Sequence, residues 1–286
     1  KLDLRIEFFG VRGSCPCPSP ANARYGANTA SVRVEADPDF PLLLDLGTGL
    51  SRLAASAPLP SPFRATALVS HLHFDHVQGL PFFPPTDAPG SIIDIYGPAQ
   101  EDVSLGEAFS HFIRPPYFPI PLSRFGAGIS FREVLDDEFS LGRATVKVRP
   151  VPHLGPTVGY RIDCDGASVA YVSDHQVPPD QTSVAPSVLE LCEGVDLLVH
   201  DAQYTRAEFP RKALWGHSTV DYAVLVAKEA GARRLCLFHH DPARTDDQLD
   251  ALVVAARAAV GNGLEDVFAA SEGLTVELPA RGTRRN

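Results

Sequence analysis

Residues 70–79, SHLHFDHVQG, place three histidines and one aspartate within six consecutive positions. They directly follow the apolar run ALV, which is typical of a buried strand. In an extended segment residues two apart point the same way, so His71 and His73 can reach one ion together. Asp75 and His76 follow where we expect a helix to begin, and there they would face a second metal position. Imidazole and carboxylate groups bind divalent metals such as zinc, so the stretch predicts a metal site at a strand end.

The composition predicts one large domain spanning residues 1–286, with 44% hydrophobic and 21% charged residues. A formal net charge of -10 supplies no field for holding a polyanion, so we expect a small-molecule substrate and no nucleic-acid partner. No apolar run is long enough to cross a membrane, and the start of the chain does not resemble a signal peptide. We therefore expect a cytoplasmic protein. The five cysteines are expected to be ordinary thiols, because an odd number does not indicate a disulfide framework.

Short aliphatic runs alternate with amphipathic segments along the whole chain, which predicts a mixed α/β protein. Helices are predicted at 48–57, 98–112, 218–230 and 245–260, the third of them opened by Ser218 as N-cap. The predicted strands are LRIEFFG, SVRVEA, PLLLDLG, ATALVS, IIDIYG, ATVKVRPV, VGYRID, SVAYVSD, VDLLVHD, RLCLFHH and LTVEL.

Proline and aromatic residues are concentrated in 81–91 and 112–128, which predicts a loop-rich insertion at about 81–128. Such segments serve either as ordinary surface loops or as a lid or wall of a site. The apolar part of the second segment would also suit a homodimer contact. The sequence leaves these alternatives open.

The HLHFDH stretch resembles the HxHxDH signature of the metallo-β-lactamase superfamily, a group of mostly dinuclear hydrolases. The resemblance extends over nearly the whole chain and is closest to the phosphodiesterase branch that includes RNase Z. The N-terminal stretches FFGVRGS, RYGANTASV and LLLDLGTG resemble the opening of that branch. We interpret LDLGTG itself as a structural strand-to-helix turn. The fold implied by the resemblance is an αββα four-layer sandwich, in which helices flank two mixed β-sheets.

The resemblance also implies two sets of metal ligands at strand ends and one aspartate that bridges two divalent ions. Zinc suits these ligands best, with manganese and iron as alternatives. The implied ligands are His71, His73 and His153 for the first ion, and Asp75, His76, Asp174 and His239 for the second, with Asp174 bridging both.

Two further residues are expected to act in catalysis beside Asp75. A GHST-like motif in the RNase Z branch carries a histidine that approaches the scissile phosphate, which implies this function for His217. Asp201 follows another predicted strand and is expected to orient His217 or a ligand by a hydrogen bond. In this scheme a metal-bridging hydroxide attacks the substrate, Asp75 orients the hydroxide, and His217 steadies or protonates the leaving oxygen.

The expected substrate is a small nucleotide-like phosphodiester, and Arg12, Arg24 and Arg114 are possible partners for its phosphate. About 21 residues separate His153 from Asp174, which leaves little room for the tRNA-gripping arm that tRNA-processing relatives carry there. A tRNA 3′-processing endonuclease is therefore the less favoured reading. A hydrolase of carboxylic esters, lactones or thioesters is the alternative enzyme, and a metal-binding protein without turnover is the alternative class.

Overall fold

The computed structural model describes residues 2–281, which contain fourteen β-strands and seven α-helices. The helices are α1 (Gly49–Ser56), α2 (Phe74–Val77), α3 (Leu105–Phe112), α4 (Pro186–Cys192), α5 (Phe209–Lys212), α6 (Val220–Glu229) and α7 (Asp246–Val260). The strands are β1 (Leu4–Gly10), β2 (Ser31–Glu35), β3 (Leu42–Leu44), β4 (Arg64–Leu68), β5 (Ile92–Gly97), β6 (Gly128–Glu133), β7 (Asp137–Leu141), β8 (Ala144–Pro150), β9 (Val158–Cys164), β10 (Ala167–Val172), β11 (Leu197–Asp201), β12 (Arg234–Phe238), β13 (Asp266–Ala269) and β14 (Thr275–Leu278).

The strands form two seven-stranded sheets, ordered β14-β1-β2-β3-β4-β5-β6 and β13-β12-β11-β10-β9-β8-β7. Both sheets combine parallel and antiparallel pairs. Their inner faces share one apolar core, in which Phe8 of β1 lies 6.1 Å from Phe238 of β12 between ring centroids. On the outer faces α1 and α3 cover the first sheet and α4, α6 and α7 cover the second. This arrangement confirms the predicted αββα sandwich.

The sheet topology brings the carboxyl ends of several strands to one edge of the sandwich. In the first sheet β3 and β4 run parallel, and in the second β10, β11 and β12 run parallel. Strand β8 runs in the same direction, because two successive antiparallel pairings separate it from β10. Side chains that directly follow these strands therefore meet at this edge, as ligands do at the carboxyl ends of open α/β sheets.

Three of the four predicted helices form close to their expected limits, as α1, α6 and α7. The fourth, predicted at 98–112, begins only at Leu105, because Ser104 forms a capping box with Glu107. The N-cap of α6 is Thr219 rather than Ser218. The Ser218 hydroxyl instead donates to the carbonyl of His175, so tertiary contacts move the helix start by one residue.

The sequence did not predict strands β6, β7 and β13 or helices α4 and α5. Strands β6 and β7 have no fully buried residue, so they lack the apolar run that marks an interior strand. Strand β13 and helix α5 have only four residues each. The loop-rich insertion expected at 81–128 contains β5 and α3, which correspond to the strand IIDIYG and the helix predicted within it. Within residues 2–281 no helix is both long and apolar enough to span a membrane.

Candidate metal centre

The first predicted ligand set comes together at the end of β4 and β8. His71 Nε2 lies 2.9 Å from His73 Nδ1, and His153 Nε2 lies 3.2 Å from the same His73 atom. Zinc–nitrogen bonds of about 2.05 Å in a tetrahedral shell place neighbouring nitrogens about 3.3 Å apart. The three imidazoles therefore have the spacing that one bound cation requires.

The second set forms around the start of α2. His76 Nε2 lies 3.2 Å from both His239 Nε2 and the Oδ2 atom of Asp75. His239 Nε2 is 3.1 Å from the same Asp75 oxygen. His239 follows β12 and adopts a φ of 58°, a left-handed conformation that turns its ring away from the direction of the strand. These three side chains are suited to hold a second cation.

Asp174 lies between the two sets, directly after β10. Its Oδ2 atom is 3.6 Å from His71 Nε2 and 3.6 Å from His153 Nε2, and 3.4 Å from His239 Nε2. Its Oδ1 atom is buried and 3.0 Å from His76 Nε2, but the geometry does not form a hydrogen bond. A buried carboxylate oxygen without a hydrogen bond is costly unless a cation compensates it. The residues present thus fit a pair of divalent cations with Asp174 as the shared ligand.

Hydrogen bonds on the far side of the rings orient three of these imidazoles. An acceptor at the outer ring nitrogen takes the proton and leaves the lone pair on the inner nitrogen, which is the form that binds a metal. The three contacts are His76 Nδ1 to Asp45 Oδ2 at 2.7 Å, His153 Nδ1 to the Gly216 carbonyl at 2.6 Å, and His239 Nδ1 to Gln203 Oε1 at 2.8 Å.

The electrostatics of the cluster also favour cations. Burial, together with the neighbouring His76, holds the pKa of His71 well below its ordinary value, so its lone pair is free. Burial acts against the charged form of His239 as well, yet the carboxylates of Asp174 and Asp75 raise its pKa to about 9. In the protein without bound metal, a proton on His239 offsets part of the carboxylate charge. Cation binding is therefore expected to displace this proton.

His217 and Asp201 form a separate pair beside the second set. His217 Nδ1 lies 3.0 Å from Asp201 Oδ2, and its ring stacks on that of His239 with centroids 4.9 Å apart. The fully buried carboxylate of Asp201 also accepts hydrogen bonds from the backbone N–H groups of His175, Gln203 and Ser218. These donors stabilise the ionised carboxylate, which accepts the Nδ1 proton of His217 and leaves Nε2 available to a substrate.

Asp45 was not predicted as a residue of the site, because LDLGTG was interpreted as a structural turn. Asp45 has a φ of 58° and is fully buried at the end of β3. Besides contacting His76, its carboxylate accepts hydrogen bonds from Ser70 at 2.7 Å and from the hydroxyl of Tyr171 at 2.7 Å. The available signal was a carboxylate placed immediately after an apolar strand, as in the stretch that precedes Asp174. Gln203, the partner of His239, carried no comparable signal.

Two glycines give the histidines room. A Cβ on Gly216, whose φ is 92°, would lie 2.6 Å from His153 Cε1. A Cβ on Gly13 would lie 2.3 Å from His239 Nδ1 and 2.8 Å from Gln203 Oε1. Both contacts are far shorter than van der Waals separation, so the rings have these positions only because no side chain is present.

Gly13→Ala is therefore expected to displace His239 and lower the affinity for the second cation by about 10- to 100-fold. Loss of a residue that hydrogen-bonds to a metal ligand has an effect of this size. Zinc titration by calorimetry measures this change, with the first cation unaffected. Gly128→Ala is the matched control, because its nearest atom would be 3.8 Å from the new Cβ. Unchanged affinity for both cations in Gly13→Ala would contradict the assignment of His239 as a ligand.

Two of the three arginines proposed as phosphate partners are engaged elsewhere, while the role of Arg114 stays a prediction. Arg12 is fully buried, and its guanidinium donates to the carbonyls of Gly26, Asp241 and Arg244. Arg24 pairs with two aspartates of α7, and Arg114 is exposed after α3. The sequence cannot distinguish a buried arginine that ties loops together from one that faces a ligand.

The remaining histidines near the cluster face away from it. His240 Nε2 donates to the carbonyl of Ala270, on the other side of the chain from His239. The Nδ1 atom of His200 donates to the carbonyl of Asp201, and its Nε2 atom lies 3.0 Å from His175 Nδ1. His111 is exposed at the end of α3.

The proline-rich and aromatic segments lie next to the first ligand set. Phe74, between His73 and Asp75, is 68% exposed and packs edge-on against Phe112 at 6.2 Å. Phe82 packs in the same way on Phe118 at 5.7 Å. The aromatic side chains thus adjoin the metal-ligand cluster, which is consistent with their forming a wall of the site. Their participation in a homodimer contact stays a prediction.

Comparisons with known proteins agree with this geometry. A family model described as "Beta-lactamase superfamily domain" matches residues 42–240. Ribonuclease Z of Mycobacterium bovis is 30% identical over 92% of this chain and 98% of its own length. Human tRNase Z, short form, superposes with a TM-score of 0.68 at 21% identity, covering 96% of this chain and 99% of that structure. A diphosphatase from the PhnP family superposes with a TM-score of 0.71 at 20% identity, covering 97% of this chain and 98% of that structure.

The expectation that the protein has no nucleic-acid partner has to be corrected. The acidic net charge and the short segment between His153 and Asp174 were read as evidence against a nucleic-acid partner. That segment does form little more than the hairpin of β9 and β10. Nevertheless, relatives that match nearly the full chain are named for a ribonuclease, which goes against excluding RNA. Net charge averages over the whole surface and does not report the local field at two dications.

The family model covers well over half of the chain, and the M. bovis ribonuclease matches nearly all of it. The predicted resemblance and the predicted enzyme class, a metal-dependent hydrolase, are therefore confirmed. The chain belongs to the metallo-β-lactamase superfamily, in the branch that includes ribonuclease Z.

Proposed function

We propose that this hydrolase cleaves a phosphodiester bond, with a small nucleotide-like phosphodiester as substrate and two divalent cations, preferably zinc, as cofactors. The observation that carries the proposal is the position of Asp174 between two sets of imidazole and carboxylate ligands whose donor atoms lie within 4.8 Å of one another in each set. Bound there, two divalent cations would activate a water molecule and offset the negative charge of the phosphate oxygens.

The protein residues perform the remaining steps. Asp75 Oδ2 accepts a hydrogen bond from the backbone N–H of Ser14 at 2.8 Å, which fixes the carboxylate so that it can orient the attacking water. His217 donates a proton from Nε2 to the leaving oxygen. Asp201 stabilises the charged imidazole before that transfer, since it contacts Nδ1 and is itself held by three backbone donors.

Two lines of support favour a phosphodiester over an acyl substrate. A reacting group that carries a negative charge benefits more from two cations than a neutral carbonyl does. Relatives that match more than nine-tenths of the chain include proteins named ribonuclease Z and a diphosphatase. Hydrolysis of carboxylic esters, lactones or thioesters at the same site is the alternative.

The deciding experiment assays zinc- and manganese-loaded protein on bis-p-nitrophenyl phosphate and on p-nitrophenyl butyrate. We expect kcat/KM for the phosphodiester to exceed that for the ester after correction for spontaneous hydrolysis. The reverse order would favour the acyl alternative, and no turnover of either would favour a metal-binding protein. A panel of cyclic nucleotides, linear dinucleotides and a tRNA precursor then separates small diesters from RNA.

Removal of the metals is expected to lower the melting temperature. A ligand at 100 times its Kd stabilises a protein by about 2.7 kcal/mol per site. Two such sites on a chain of 286 residues correspond to a shift of about 10 °C. Differential scanning calorimetry with and without dipicolinate measures the shift. Because His239 must lose its proton, the stabilisation should shrink as the pH falls below about 9. Equal melting temperatures would argue against a resident metal centre.

A further inference from the structure

A second cavity, of about 980 Å³, lies beside the metal centre and has no assigned use. We call it the apolar pocket. It lies between the loop after β10, the segment before α4, and helices α5 and α6, and proline, valine, leucine and aromatic side chains form most of its wall. Residues that define it are Pro152, Val177, Val184, Phe209, Leu214 and Tyr222.

The apolar pocket adjoins the reaction site. A smaller cavity of about 460 Å³ is lined by His217 and Gln203, and it shares Leu154 and Leu214 with the apolar pocket. These two leucines are 52% and 83% exposed. Each is close in sequence to a residue of the site, since Leu154 follows His153 and Leu214 precedes His217 by three positions. A molecule that reaches past His217 therefore meets the rim of the apolar pocket.

Among the buried side chains of this wall, His175 has a polar atom to offer a ligand. His175 is 1% exposed and lines the pocket. His200 Nδ1 must donate to the carbonyl of Asp201, so a neutral His200 accepts at Nε2 from His175 Nδ1. The proton of His175 is thereby placed on Nδ1. Its Nε2 has no hydrogen-bond partner among residues 2–281 and is left as an acceptor for a ligand in the pocket.

We infer that the apolar pocket binds one ester substituent of the phosphodiester substrate, an apolar group that carries a single hydrogen-bond donor such as a hydroxyl or N–H. This inference rests on the proposed function, because it assigns the substituent to the substrate of that site. A nucleobase fits the pocket poorly, since several of its polar edge atoms would lie against a mostly apolar wall. A linear diester has two substituents, so a nucleoside can occupy the open side while the apolar group enters the pocket.

The first test uses n-alkyl phosphates, from methyl to decyl, as competitive inhibitors of bis-p-nitrophenyl phosphate hydrolysis. The phosphate is expected to occupy the metal centre while the chain extends into the apolar pocket. Burial of each methylene should then lower the inhibition constant by about fourfold until the pocket is full. A constant that does not change with chain length in the wild-type protein would overturn the inference and leave the proposed function intact.

Variants localise the effect. Ala213→Trp places a large ring in the pocket wall and should remove the dependence on chain length, with inhibition by methyl phosphate unchanged. Ala255→Trp, on the exposed face of α7, is the matched control and should behave as the wild type. Retention of the full chain-length dependence in Ala213→Trp would place the alkyl chain elsewhere and contradict the inference.

The second test requires no catalysis and no metal. Protein treated with chelator is titrated with the fluorophore N-phenyl-1-naphthylamine, which is then displaced by 1-octanol or by methyl heptyl ether. A hydrogen bond to His175 Nε2 should make the alcohol about two- to tenfold more effective than the ether. His175→Phe should abolish that difference while the fluorophore still binds. Absence of fluorophore binding, or equal displacement in the wild type, would refute the pocket assignment even if phosphodiester hydrolysis is observed.

Discussion

Asp174→Asn is expected to lower kcat/KM for phosphodiester hydrolysis by more than about 100-fold, since loss of a residue one step further from a metal already costs 10- to 100-fold. The substitution keeps the shape of the side chain but removes the charge that contacts both ligand sets. Four imidazole nitrogens of the two ligand sets lie within 3.6 Å of its oxygens, so cations bound there would lose the shared anion that offsets their repulsion. We therefore expect metal content to fall below two ions per chain.

Activity and metal analysis by mass spectrometry measure this variant together, and circular dichroism establishes that the fold is retained. Asp266→Asn is the matched control, because Asp266 is exposed on β13 and its carboxylate pairs with the exposed Arg257, far from the ligand sets in sequence. It should retain both ions and full activity. If Asp174→Asn kept two tightly bound ions, Asp174 would not be the shared ligand, and the proposed arrangement of the centre would be wrong.

On a phosphodiester with a poor leaving group, such as a linear dinucleotide, His217→Ala is expected to lower kcat by about 10²- to 10⁴-fold, the range typical of a lost general acid, while metal content stays at two ions per chain. Asp201→Asn should have a loss of similar order, because its amide does not stabilise the charged imidazole and can reverse the ring tautomer. The two effects should not add in the double variant, since both remove the same protonated imidazole. His111→Ala, at an exposed position, is the control.

Metal content decides between two readings of His217. Its ring nitrogen lies near Asp174 and His239, close enough for the three to hold an ion. Loss of one ion in His217→Ala would make it a ligand and refute the acid function. Rescue of the variant by substrates with good leaving groups, such as p-nitrophenolate, would support the acid function, because such groups leave without a proton.

The proline- and aromatic-rich segments show what local sequence patterns can predict and what they cannot. Proline indicated correctly that the chain is irregular around 81–91 and 112–128, but only the structure shows Phe74 packed on Phe112 beside His73. Strands β6 and β7 escaped prediction because both are exposed at the sheet edge and show no apolar run. Burial patterns in sequence report how a segment meets the core, so segments outside it are poorly marked.

From the sequence by itself, through its resemblance to the superfamily, we predicted the αββα fold, the candidate ligands from His71 to His239 and the branch of the superfamily, because that resemblance depends on residue types at strand ends and on their order. Tertiary structure alone decided the contacts of Asp45 and Gln203 with the ligand rings, the burial of Arg12, and the apolar pocket beyond Leu154 and Leu214. Those features join residues distant along the chain. Asp45 and Tyr171, for example, are 126 positions apart and meet only when the two sheets pack face to face.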